Sequence, residues 1–199
     1  MELYIVRHGE TVWNKERRLQ GRTNIELSEY GRELAIKTGK ALVDTTIDVI
    51  YSSPLNRAYE TALLIKGNKE ISIIKDDRIR EMSFGEYEGR IDAELKDTTF
   101  KYFFDAPDKY TPCNEGESFE EVCERAADFM KDIMDKYGDT DKRIMIVAHG
   151  AMNKALMMYI RKKPMSEFWK PDLQKNCGVI IVKYENNNFD IIDEDRIFY

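Results

Sequence analysis

Apolar residues come in short runs along this chain, and the period of each run predicts an element. Glu2 to Val6, apolar at the consecutive positions Leu3 to Val6, reads as a short strand buried on both faces of a parallel sheet. A polar loop follows to Leu27. Behind Ser28, a natural helix N-cap, Leu34, Ala35, Thr38, Ala41 and Leu42 recur at helical spacing. Ile47–Tyr51 reads as a second strand. Ser53-Pro54 then predicts an N-cap with proline at the first helical position, and Ala58, Ala62 and Ile65 carry that helix to Gly67. Ile71–Ile74 is a short third strand. The stretch 82–117 is irregular, with Gly85, Gly89, Pro107 and Pro112 among the aromatics Tyr102, Phe103 and Phe104, and predicts a partly helical cap or lid rather than a separate domain.

Regular alternation resumes after that stretch. Ser118-Phe119-Glu120-Glu121 is a capping box, and the helix it opens carries Phe119, Val122, Ala126, Phe129, Met130, Ile133 and Tyr137 on one face until Gly138. A strand at Arg143–Ala148, a helix from about Met152 to Arg161, and strands near Val179–Tyr184 and Phe189–Asp193 complete the chain. Alternating strands and helices imply an α/β fold with a mostly parallel central sheet covered on both faces, a three-layer α/β/α arrangement. The expected organisation is one domain, 1–199, with a cap insertion at about 82–117.

Composition narrows the function. The chain is 42% hydrophobic and 34% charged, ordinary for a globular protein, and no apolar run approaches the roughly 20 residues that span a bilayer. No signal-peptide pattern opens it, which gives a cytoplasmic expectation. The cysteines Cys113, Cys123 and Cys177 are odd in number and widely spaced, so reduced thiols are expected. A net charge of -6 argues against nucleic acid and anionic membranes as partners and leaves a small anionic molecule as the expected one. Oligomeric state stays open between monomer and homodimer.

The chain has only two histidines, and each ends an apolar run and leads into a glycine: Val6-Arg7-His8-Gly9 and Val147-Ala148-His149-Gly150. Sites in open α/β sheets lie at the carboxyl ends of strands, so both imidazoles belong at one crevice, with Ser52 and Arg57 following another strand into it. Two arginines among two histidines make a poor metal site, because guanidinium repels cations. They make a good phosphate site: planar forks pair two oxygens at once, and the helix N-termini near Arg57 and at Gly150-Ala151 add N–H donors. With phosphate neutralised, an unprotonated imidazole nitrogen can attack phosphorus to give a phosphohistidine, with no metal or cofactor required.

Arg7-His8-Gly9-Glu10-Thr11 resembles the signature of the histidine phosphatase superfamily, the phosphoglycerate mutase-like enzymes. The likeness continues through Leu27-Ser28-x-x-Gly31, Ser53-Pro54-Leu55-x-Arg57-Ala58-x-x-Thr61-Ala62, Arg80-Glu81 with Gly85 and Glu88-Gly89, Gly116-Glu117-Ser118 and Ala148-His149-Gly150. The resemblance implies a phosphoglycerate mutase-like fold, His8 as phosphorylated nucleophile, His149 stabilising the transferring group, Arg7 and Arg57 on its oxygens with Asn14 as a further donor, and Glu81 as proton donor and then acceptor. Gln20-Gly21 and the run Met82 to Gly89 resemble the phosphatase branch, which implies a metal-independent phosphomonoesterase acting on a small phosphorylated metabolite. The alternatives are a cofactor-dependent phosphoglycerate mutase and a catalytically silent phosphate-binding protein of the same fold. Arg17, Arg18 and Arg22 read as a solvated loop face, Tyr102-Phe103-Phe104 as lid packing, Met152, Met157 and Met158 as core, and Cys113 as a surface thiol.

Overall fold

A computed structural model describes residues 1–199. Strands β1 (Glu2–Arg7), β2 (Val49–Ser52), β3 (Ser72–Lys75), β4 (Arg143–Ala148), β5 (Val179–Glu185) and β6 (Asn188–Arg196) form one six-stranded sheet in the order β3-β2-β4-β1-β5-β6. The first four of that order run parallel, and β5 and β6 add an antiparallel edge. In the central pair, Val6 lies opposite Val147 and Arg7 opposite Ala148, so the residues that follow, His8 and His149, leave the sheet side by side.

Alternate residues of β1 feed two cores, as a two-residue period requires. Tyr4 and Val6 pack against helices α2 (Glu29–Ala41) and α3 (Asn56–Lys66), through Leu34, Ala35, Ala58 and Ala62. Leu3 and Ile5 face the opposite layer, α4 (Phe119–Tyr137) and α5 (Gly150–Arg161), through Phe129, Met130, Met152 and Leu156. The three-layer α/β/α arrangement with a mostly parallel sheet is therefore present. Ser28 caps α2 by accepting from the Gly31 N–H, and Ser118 and Glu121 form the reciprocal capping box of α4.

Local expectations need four corrections. The polar loop before Leu27 contains a short helix, α1 (Val12–Lys15), closed by a Thr11/Asn14 capping box whose polar side chains leave no apolar periodicity to read. Helix α3 is capped by the backbone of Leu55, two residues beyond the expected Ser53. The Ser53 hydroxyl is instead shared between the Leu55 N–H and a histidine ring. Helix α5 starts at Gly150, directly after His149, because the strand ends flush with the helix. Finally, β6 extends to Arg196.

Residues 82–117 contain no α-helix. They turn through 3-10 segments at Gly85–Tyr87, Asp92–Glu94, Thr99–Tyr102 and Pro107–Lys109. Aromatic rings hold the segment down: Phe103 stacks on Phe100 at 4.8 Å and on Phe119 of α4 at 4.9 Å, and lies 5.1 Å from Trp169.

Candidate active site

The carboxyl ends of β1, β2 and β4 open into a cavity of about 430 Å³ whose wall includes Arg7, His8, Asn14, Gln20, Gly21, Arg57, Glu81, Gly150 and Ala151. Residues spread over more than half the chain thus meet in one crevice at the strand ends. Arg57 is 0% exposed and His8 2%.

His8 donates from Nδ1 to its neighbour's carbonyl, Gly9 O, at 2.7 Å, since a carbonyl can only accept. The neutral ring therefore presents Nε2 as a lone pair. Burial first, then the positive charges of Arg57 and Arg7, hold its pKa well below the usual histidine value, so the ring stays unprotonated at neutral pH. The backbone around it is pinned. Thr61 Oγ1 accepts from the Gly9 N–H at 2.9 Å, Asn176 Nδ2 donates to His8 O at 2.9 Å, and the Cys177 N–H donates to Arg7 O at 2.9 Å.

Both guanidinium groups are held by carbonyls rather than carboxylates, which leaves their charge unspent. Arg7 Nη1 donates to Gln174 O at 2.6 Å; Arg57 donates from Nη1 to Thr23 O at 2.9 Å and from Nη2 to Gly21 O at 2.7 Å. The Nε atoms of both arginines and Nδ1 of His149 are buried without a partner. Unsatisfied buried donors on two cations are costly in isolation and are what an anion with several acceptor oxygens would repair. Burial pushes Arg57 down to about 10, still cationic at neutral pH.

His149 is 0% exposed, and its ring centroid lies 5.2 Å from that of His8. Its Nε2 lies 2.8 Å from Ser53 Oγ. Burial, followed by Arg57 and His8, holds its pKa well below the usual value.

Glu81 occupies the N-terminus of α5. Its Oε1 accepts from the N–H groups of Met152 at 3.1 Å and Met82 at 2.9 Å, and Oε2 from the Ala151 N–H at 3.3 Å. The Ala151 donor expected to face phosphate is therefore given to the Glu81 carboxyl group. Asn14 Oδ1 is likewise taken, by the N–H and hydroxyl of Thr11, leaving Nδ2 as the donor available at the wall.

Two supporting residues, Arg125 and Lys154, lay outside the sequence reading, and Glu88 entered it only as part of a motif. Arg125 of α4 grips Glu117 through Nε at 2.6 Å and Nη2 at 2.9 Å, and also donates to the carbonyls of Arg78, Arg80 and Glu81. It thereby fixes the strap that carries Glu81. Glu88 accepts from the N–H groups of Arg22 at 2.8 Å and Thr23 at 2.9 Å and from the Thr23 hydroxyl, and so shapes the Gln20–Thr23 loop that anchors Arg57. A Cβ on Gly21, whose φ is +50°, would fall 2.0 Å from Glu88 Oε1, so the loop demands glycine there. Lys154 Nζ holds the opposite rim by donating to Pro171 O at 2.7 Å and Asp172 O at 2.8 Å.

The loop arginines divide. Arg17, Arg18 and Arg22 are all exposed, in keeping with the solvated reading; Arg17 and Arg18 also belong to the cavity wall, whereas Arg22 pairs with Glu117 at 3.3 Å. Phe103 and Phe104 both pack and line the wall, and Tyr102 does not reach it. Cys113 is not part of the wall and donates to the carbonyl of Phe84, which is, at 3.0 Å. No group of three or more potential metal-ligating side chains occurs anywhere in the structure.

A family model for the histidine phosphatase superfamily (branch 1) matches residues 3–194. The chain belongs to the histidine phosphatase superfamily. Phosphoserine phosphatase 1 of Hydrogenobacter thermophilus is 32% identical over 172 residues, covering 85% of this chain and 80% of that protein. Bacillus stearothermophilus YhfR superposes with a TM-score of 0.90 at 35% identity, covering 97% of this chain and 96% of that one. A phosphoserine phosphatase mutant from Entamoeba histolytica in complex with phosphoserine superposes with a TM-score of 0.84 at 29% identity, covering 96% and 95%.

Proposed function

We propose that the protein is a metal-independent phosphomonoesterase that hydrolyses a small phosphorylated metabolite through a phosphohistidine on His8. The observation that carries this reading is the neutral His8 ring with Nε2 free, set among two arginines whose Nε donors have no partner.

Arg7 and Arg57 bind the phosphoryl oxygens, with Asn14 Nδ2 as a further donor. His8 Nε2 attacks phosphorus; the P–N bond forms as the ester P–O bond breaks, and Glu81 supplies the proton that the leaving oxygen takes up. Water then attacks the phosphohistidine, Glu81 takes its proton, the P–N bond breaks, and inorganic phosphate leaves with His8 neutral again. Charge stabilisation by fixed cations supplies what a metal ion supplies elsewhere. The segment 82–117 acts as a cap within a single domain, and Phe84, Phe103, Phe104 and Trp169 wall the leaving-group side. A second cavity of about 640 Å³ adjoins it and shares Arg17, Asp92 and Phe104, which gives room for leaving groups of different size. The relatives named for phosphoserine make O-phosphoserine the first substrate to try. No helix is long and apolar enough to cross a membrane, and a cytoplasmic site of action fits such a metabolite.

The test is a screen of phosphorylated metabolites with EDTA present. Phosphate release should survive EDTA, vanish in His8→Ala and slow in Glu81→Gln. Activity abolished by EDTA sinks the metal-free mechanism. Efficient isomerisation of 3-phosphoglycerate with a bisphosphoglycerate primer and little phosphate release makes the protein a mutase. An unchanged rate in His8→Ala removes the nucleophile assignment.

A further inference from the structure

We infer that Ser53 is a positioning residue that fixes the tautomer of His149, placing the ring proton on Nδ1 so that His149 meets the phosphoryl group as a hydrogen-bond donor. The inference deepens the phosphatase reading and rests on it for the identity of the acceptor.

The argument is one of proton accounting inside a sealed site. Ser53 and His149 are both 0% exposed, so neither can turn to water for a partner. The Ser53 hydroxyl has two neighbours, His149 Nε2 at 2.8 Å and the Leu55 N–H at 3.3 Å. The Leu55 amide can only donate, so there the hydroxyl oxygen accepts. The hydroxyl proton then has one acceptor within reach, the lone pair of an unprotonated Nε2. In the opposite assignment Nε2–H would donate to Ser53, and the hydroxyl proton would be buried without any acceptor. An unmade buried hydrogen bond of that kind disfavours its arrangement by roughly tenfold to a hundredfold in population. The ring's single proton therefore resides on Nδ1.

Nδ1 has no protein partner, and neither do Nε of Arg7 and Nε of Arg57. Both arginines lie near enough to both imidazoles to depress their protonation. Three orphan donors thus come from residues grouped about His8: Arg7 precedes it, the His149 ring lies 5.2 Å from its own, and Arg57 lines the same cavity. An unprotonated Nδ1 would instead point a lone pair at phosphoryl oxygens that are themselves negative. Ser53 resolves the choice before substrate arrives. The result is a division of labour between two rings in the same tautomer: His8, its Nδ1–H turned to Gly9 O, offers a lone pair, and His149 offers a proton it keeps throughout. Ser53 is itself held, because Ser52 Oγ donates to its carbonyl at 2.9 Å.

The chain's histidine content makes the test direct. With ring-¹⁵N-labelled histidine, a long-range ¹H–¹⁵N spectrum contains only four ring nitrogens, since the chain has two histidines. Both rings should show a protonated, pyrrole-type Nδ1 and an unprotonated, pyridine-type Nε2. In Ser53→Ala the His149 pair should move toward a mixture of tautomers while the His8 pair stays in place. With p-nitrophenyl phosphate as substrate, kcat should fall in step with the share of His149 that loses its proton from Nδ1, roughly twofold for an equal mixture, and KM should change less than kcat. A protonated Nε2 on His149 in the unmodified protein overturns the inference, as does an unchanged kcat with an unchanged His149 pattern in Ser53→Ala. Should that variant fail to fold, the spectrum of the unmodified protein decides alone. A protein with the expected spectrum that cleaves no phosphate ester refutes the phosphatase reading and leaves the tautomer assignment standing.

Discussion

Replacing Arg125 by alanine tests whether the strap that carries Glu81 owes its place to α4. Arg125 and Glu117 have side chains only 15% and 11% exposed, and they meet in a two-pronged ion pair. Removing the guanidinium leaves Glu117 with the Ser83 N–H at 3.1 Å and the more exposed Arg22 at 3.3 Å. The carbonyls of Arg78, Arg80 and Glu81 lose their shared donor at the same time. Breaking a buried pair from one side costs about 3–5 kcal/mol, or roughly two to four powers of ten in the folded-to-unfolded ratio. With a urea slope of about 2 kcal/mol/M, the midpoint should drop by roughly 1.5–2.5 M. Arg125→Lys keeps the charge and loses the fork, so it should fall between the two. Below the new midpoint, folded Arg125→Ala should show reduced kcat and nearly unchanged affinity for inorganic phosphate, because Arg7 and Arg57 are untouched. A midpoint shift under about 0.5 M would refute the energetic argument. A full shift in stability with kcat preserved would refute the link from Arg125 to Glu81.

Acid should weaken the fold through the two histidines. Their folded pKa values lie below the unfolded value of about 6.5, so the unfolded chain binds protons that the folded chain refuses; stability is whole above about 6.5 and falls as pH drops toward the folded values. Two such groups allow a slope of up to about 2.7 kcal/mol per pH unit, and urea midpoints from pH 7.5 to 5 should show it flattened in a His8→Gln, His149→Gln double variant. Inorganic phosphate should raise the melting temperature, by the equivalent of about 2.7 kcal/mol at a hundred times its dissociation constant. Arg57→Ala should lose most of that shift; an equal shift in both proteins would disprove the phosphate assignment. Gly31→Ala should both destabilise and slow the enzyme. Its Cβ would fall 2.1 Å from Glu10 O, so the backbone two residues after His8 must move, at a cost of about 1–3 kcal/mol measurable by urea titration.

The order of elements was legible in the sequence because strand and helix periods alternate cleanly, and so was the grouping of Arg7, His8, Arg57, Glu81 and His149, since each follows a strand end or a recognisable motif. Distance in sequence hid the rest. Arg125 sits on the flank of an amphipathic helix, where an arginine is ordinarily solvated, and its partners are carbonyls that leave no mark on composition. Lys154 lies within a helix whose apolar face offers no reason to expect a buried ammonium. The Ser53 misreading had a different source: proline after serine is a real capping signal, but a hydroxyl beside a buried imidazole has a stronger competitor for its bonds. Gly150 and Ala151 were placed correctly at a helix N-terminus, and what escaped was that a carboxylate of the same chain already occupies it.

His8, proposed as the nucleophile, follows β1, which is hydrogen-bonded on both sides, while the segment 82–117 is built of 3-10 turns tied down by rings. The two parts differ in how much of the molecule must give way for them to change. An altered ring or turn residue in 82–117 disturbs a patch, whereas any shift at His8 reaches β4 and β5, the two strands that flank β1. Variation in this lineage therefore has one inexpensive direction: the repertoire of accepted esters can drift quickly by substitution in the turns, and the phosphoryl chemistry beneath it can be inherited almost unaltered.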